Sequence, residues 1–152
     1  MRSGFPERTY TIVGLLSALA VPALIAGTST TSALGDFEKY LSYEAAALAV
    51  FATTKPRHAM FGGFAIAISW PLYANYLLIS TSKTPDAAFA YIFIPLQVFL
   101  ALVAGFLVRA IREFQNERSP VLCFLETLTY GALGYCSPFI LLDLWNQRLM
   151  PF

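Results

Sequence analysis

Charge is what this sequence has least of. Only 12% of its 152 residues are Asp, Glu, Lys or Arg, against 57% hydrophobic, and the mean hydropathy is +0.62. A soluble domain of ordinary composition carries about 25% charged residues. An apolar excess of this size cannot be buried in a small aqueous core, so the composition points to a lipid bilayer as partner. The net charge of +1 is not the broad basic field that holds nucleic acid, and no such partner is expected. Cysteine and histidine are also scarce. Cys123 and Cys136 share one apolar run, and thirteen residues of helix separate them by roughly 20 Å. A disulfide needs Cα atoms within about 7 Å, so these two cannot bridge each other. His58 is the one histidine, and there is no CxxC or CxxCH. That argues against a zinc site, an attached c-type haem or bis-histidine haem ligation. HExxH, G-x-S-x-G and a glycine-rich phosphate loop are missing too, so no enzymatic activity and no cofactor is expected, while bound lipid is compatible with the composition.

What the sequence does have is long uncharged runs separated by short clusters of charge. Phe61–Ile79, Ala87–Ile111 and Val121–Trp145 are each about the length that crosses a bilayer core. Thr9–Thr30 is a fourth run. Behind its basic lead it could pass for a signal peptide cleaved near Ala26, but we read it as a retained first span. Phe37–Thr54 is the ambiguous segment, short, Ala-rich and interrupted by Glu44. It could be a span, an interfacial helix or a re-entrant one.

The distribution of Lys and Arg decides between these. With four spans, Arg2, Arg8, Lys83 and Arg148 oppose Lys39, Lys55, Arg57, Arg109, Arg112 and Arg118, an incoherent four against six. With Phe37–Thr54 as a fifth span, Arg2, Arg8, Lys55, Arg57, Arg109, Arg112 and Arg118 share one side, and only Lys39, Lys83 and Arg148 face the other. Because cytoplasmic loops accumulate bases, seven against three predicts an all-α integral membrane protein. It would be a single domain, 1–152, a bundle of five transmembrane helices near 9–30, 37–54, 59–79, 87–111 and 121–145. Its N-terminus would lie inside and its C-terminus outside. Pro56, Pro85 and Pro120 sit before apolar runs, where proline costs no helical hydrogen bond, and Thr84, Ser119 and Asp36 are placed to cap. Tight loops imply antiparallel neighbours.

Small residues predict close helix–helix seams: Ala45, Ala49 and Ala52 on the second span, Gly62 and Gly63 on the third, Gly131 and Gly134 on the fifth. Tyr10 and Trp145 suit interfacial anchors, and AISWPLYANYLL, with Trp70, Tyr73, Asn75 and Tyr76, should face protein. Prolines Pro22, Pro71, Pro95 and Pro138 fall inside spans, as is common in membrane helices.

The candidate functional residues are the polar groups at membrane depth: Glu44, Asn75, Gln97 and Glu126, with Arg109 as ion-pair partner. Glu44 and Glu126 should lie roughly 12 Å apart in depth, too far for one shared proton. The tight turn before Pro120 brings Arg109 within reach of Glu126. On this reading Glu126 is a clasp between the last two helices, with Thr129, Tyr130, Leu133, Gly134 and Ser137 sharing its seam. His58 reads as an interfacial polar residue. Lys55, Arg57, Arg112 and Arg118 are candidate contacts for anionic lipid. The expected role is a small multi-pass subunit that packs against larger integral membrane proteins as an accessory or assembly component. The alternative is a minimal carrier or channel using Glu44, Asn75 and Glu126, possible also as a homo-oligomer. Bacterial plasma membrane and organellar inner membrane both fit.

Overall fold

The computed structural model describes residues 6–28, 33–81, 87–113 and 119–149. Among them the chain is all-helical, with no strand: α1 (Glu7–Thr28), α2 (Ala33–Thr53), α3 (His58–Thr81), α4 (Ala87–Glu113) and α5 (Pro120–Leu149). The segment Phe37–Thr54 thus lies in a full-length helix that begins at Ala33, so Asp36 sits in the first turn rather than ahead of it. Thr84, Pro85, Lys83, Arg2 and Arg118 lie outside the described residues, as do the side chains of Asp36, Lys39, Trp145 and Arg148.

The helix ends follow from local chemistry. α2 stops where the Thr53 and Thr54 hydroxyls donate to the carbonyls of Val50 and Phe51, at 2.7 and 2.6 Å. Lys55 then turns into the left-handed region (φ 51°), its N–H donating to the Ala52 carbonyl at 2.9 Å, and Pro56 follows. This is an αL cap, a position usually given to glycine. α5 starts with Pro120, and the Ser119 carbonyl accepts from the N–H groups of Leu122 and Cys123 at 3.0 and 3.2 Å. Helices run through all four internal prolines. At Pro138, which has no N–H to give the Gly134 carbonyl, the Ser137 hydroxyl donates to that carbonyl instead, at 2.7 Å.

Side-chain pairs fix the helix directions. Phe51 stacks on Phe64 at 4.2 Å and Tyr40 meets Tyr76 edge-on at 5.7 Å, so α2 runs antiparallel to α3. Arg112 bonds Glu126 while Gly134 abuts Leu100, so α4 and α5 are antiparallel. Tyr10 packs on Phe124 at 5.2 Å, Gly14 abuts Gly62, and Gly131 abuts Ala67, so α1, α3 and α5 are parallel. Arg8, Lys55, Arg57, Arg109 and Arg112 therefore gather at one end of the bundle.

α3 is the central element and touches all four other helices. Its core residues Phe64, Ile68 and Leu72 are buried with Ile25 of α1, Phe51 of α2, Ile94 of α4 and Tyr135 of α5. Glycine is what lets two helices close on α3 at one level. A Cβ on Gly62 would lie 2.1 Å from the Tyr10 carbonyl oxygen of α1, and one on Gly63 would lie 2.5 Å from the Phe124 carbonyl oxygen of α5. Neighbouring residues point about 100° apart around a helix, so this pair serves two different partners. A third close crossing joins α4 and α5 where Gly134 meets the Leu100 carbonyl oxygen.

Three expected faces differ. Ala45, Ala49 and Ala52 are exposed, because α2 turns Tyr40, Glu44, Ala47 and Phe51 inward. On α5, Thr129, Tyr130 and Leu133 are exposed; the buried stripe is Cys123, Thr127, Gly131, Tyr135 and Pro138, rotated from the face of Glu126. Asn75 and Tyr76 are buried as expected, but Trp70 is 47% exposed. Both cysteines are free, Cys123 buried and Cys136 exposed.

Gly62→Ala and Gly63→Ala should each destabilise the bundle by about 1–3 kcal/mol, because a carbonyl and not a flexible side chain must give way. Gly27→Ala meets nothing within 4 Å and should be neutral or stabilising by up to about 1 kcal/mol. Detergent-denaturation midpoints of the three variants check this order.

Candidate functional site

Among the described residues, three polar contacts within the bundle cross between helices, each at a different level of α3, besides one between Thr11 and His58 at its end. The first lies level with Gly63. The guanidinium of Arg112, near the end of α4, donates to a carboxylate oxygen of Glu126 on α5, both part-buried. The partner expected from sequence was Arg109. That residue is held instead by its own helix, donating from Nε and Nη2 to Glu113 Oε1 at 3.0 and 2.6 Å. Three residues separate Arg109 from Arg112, so the two lie nearly on one face. The register set where Gly134 meets Leu100 and Ala104 brings the second opposite Glu126.

Six residues along α3, roughly 9 Å higher at 1.5 Å per residue, Ser69 reaches Glu44 of α2. Glu44 is 2% exposed and Ser69 fully buried. The Ser69 hydroxyl lies within donating distance of Glu44 Oε1 and of the Ala65 carbonyl, the latter at 2.6 Å. The contact ties α2 to α3 between the aromatic pairs Phe51–Phe64 and Tyr40–Tyr76.

Six residues further again, the Asn75 side-chain amide of α3 donates to Gln97 Oε1 of α4 at 2.8 Å and to the Tyr135 hydroxyl of α5 at 2.9 Å. One amide thus links three helices within the core. Gln97 is fully buried, and its Nε2 has no hydrogen-bond partner. Sequence reasoning named Asn75 and Gln97 without pairing them and overlooked Tyr135. The signal was there, since a tyrosine in mid-helix needs a partner for its hydroxyl once buried.

Chemically these rungs are helix clasps. Buried Phe64, Ile68 and Leu72 occupy α3 at the levels between them. Among the described residues no three of His, Cys, Asp and Glu gather to hold a metal ion. At the basic end, His58 opens α3 and its Nδ1 lies 3.0 Å from Thr11 Oγ1 of α1, while the Thr11 hydroxyl lies 3.3 Å from the His58 carbonyl. Lys55 and Arg57, both exposed, flank the same turn.

The amide rung yields an ordering of variants. Asn75→Leu leaves buried polar atoms on Gln97 and Tyr135 without that partner and should cost about 2–3 kcal/mol. Gln97→Met removes the unpaired Nε2 along with one bond, keeps Asn75–Tyr135, and should cost less than about 1.5 kcal/mol. Unfolding in mixed micelles measures both, and equal costs would contradict the assigned roles. Compared with protein-family models, curated proteins and solved structures, the chain matches none of them.

Proposed function

We propose that the chain is a five-span membrane protein, N-terminus inside, that serves as a small accessory or assembly subunit packed against larger integral membrane proteins. The observation that carries this reading is the contrast between its surface and its interior. Large apolar side chains face outward along α1 (Leu16, Leu19), α4 (Phe99, Leu107) and α5 (Leu133, Leu141), while Glu44, Asn75 and Gln97 are buried. Water would favour the reverse arrangement, and exposed apolar surface on this scale marks a lipid- or protein-facing exterior.

α1 and α4 are, among the described residues, the two helices long and apolar enough to cross a bilayer, and only 28% and 33% of their apolar windows are buried. A core helix of a soluble protein would be mostly buried. α1 also docks tightly through Gly14 on Gly62 and Tyr10 on Phe124, which favours a retained helix over a leader. α2 and α5 are the less apolar helices, and the acids they carry, Glu44 and Glu126, meet Ser69 of α3 and Arg112 of α4. The gathering of Arg8, Lys55, Arg57, Arg109 and Arg112 at one end supports an orientation with that end inside.

The subunit role is favoured over the carrier because the polar residues a carrier would use are engaged in three separate clasps. Extraction from native membranes in mild detergent tests it. Stoichiometric co-purification with larger integral proteins is the expected outcome. A lone monomer or homo-oligomer would overturn it, and proton or ion flux in vesicles that Glu44→Gln abolishes would establish the carrier instead.

A further inference from the structure

Among the described residues, three recesses on the sides of the bundle invite an occupant. One, between α4 and α5, is lined by Leu107, Ile111 and Tyr130 beside Arg112, but that guanidinium is already answered by Glu126. A second, at Tyr10, Val13 and Phe124, has no charge to select an occupant. The third is different. It has a volume of about 340 Å³ and lies between α1, the end of α2 and the start of α3, lined by Leu15, Ala52 and Phe61 with Thr11, Lys55 and His58.

Its mouth is cationic and uncommitted. Lys55 lines it and Arg57 lies two residues on, and among the described residues no carboxylate pairs with either. Arg8 lies at the same end; Glu7, at the start of α1, is the nearest acid in sequence to Thr11. Above the mouth the walls become apolar. Leu15 and Leu19 of α1 face outward, and Ala52 continues along α2 into Ala49 and Ala45, three and seven residues back on one helical face. These exposed alanines present only small side chains, a shallow slot continuing from the recess. Lys55 also holds the left-handed conformation that glycine adopts without steric cost, so the position keeps a charge where the backbone favours its absence.

We propose that this recess holds a phospholipid with an anionic headgroup. Its phosphate sits between Lys55 and Arg57 at the α2–α3 turn, and one acyl chain lies against Leu15, Ala52 and Phe61 and along the Ala49–Ala45 face. Charge complementarity at the inner surface selects the headgroup, and the slot selects the tail. The Thr11–His58 contact holds the floor of the mouth between α1 and α3. The proposal rests on the membrane reading above, and the two fail differently.

The test begins with flotation of the full chain with phosphatidylcholine vesicles. Failure to float overturns the membrane reading and this site with it. The chain is then purified in mild detergent carrying equal phosphatidylglycerol and phosphatidylcholine of one acyl composition, and retained lipid is weighed by native mass spectrometry. Preferential retention of phosphatidylglycerol is expected. Lys55→Gly, which suits the local backbone, and Arg57→Gln should each reduce that preference about fivefold. Arg109→Gln should leave it unchanged, and Ala52→Phe, filling the slot, should lower the total lipid retained. Equal retention of the two lipids, or a preference untouched by Lys55→Gly with Arg57→Gln, would overturn the site while the membrane reading stands. Binding of inorganic phosphate alone, undiminished by Ala52→Phe, would reassign the mouth to a free anion and overturn the lipid.

Discussion

The bundle depends on the approach of two backbones to one pair of adjacent glycines. At Gly62 and Gly63, α3 accepts the carbonyl of Tyr10 from one side and that of Phe124 from another, closer than any side chain would allow. Where the surrounding medium is as apolar as leucine, burial of apolar area no longer drives helices together, and close van der Waals contact with interhelical hydrogen bonds does. The tandem glycine supplies the contact on two fronts at once. Everything else is arranged around it: α1 and α5 lie parallel to α3, and α2 and α4 return antiparallel.

The three polar rungs complete that scheme. Each fastens a pair of helices at its own level of the bundle. Arg112–Glu126 fastens the α4–α5 hairpin near its turn, Glu44–Ser69 fastens α2, and Asn75 fastens α4 and α5 together at the far level. Interhelical polar bonds in membranes contribute about 0.6–2 kcal/mol each, so the rungs act as registers as much as sources of stability.

Much of this was legible in the residues. Five helical segments, the glycines of α3 and α5 and the clustering of bases at one end could be read from spacing. Faces and partners were harder to read. One residue turns a helix by about 100°, so reading the α5 seam from Glu126 rather than Thr127 exposed residues that are buried and buried ones that are exposed. Small residues permit close packing without requiring it: Gly14 makes a crossing and was overlooked, whereas Ala45, Ala49 and Ala52 face outward. Arg109 and Arg112 are equivalent until the register of the last hairpin is known, and that register is set by Gly134 against α4, far from the turn. The Asn75–Gln97–Tyr135 rung joins residues up to sixty apart, which no local pattern encodes.

A bundle with its polar groups turned inward and its bases at one end is proposed to take one orientation in a bilayer. With Cys123 and Cys136 replaced by alanine, single cysteines at Arg8, Arg57 and Ser119 can be probed with a membrane-impermeant thiol reagent in sealed, right-side-out vesicles. All three should be protected until the vesicles are opened, and then label together. Labelling of Arg57 from the opposite side to Arg8 would mean that α1 and α2 do not both cross, and would contradict the five-span account.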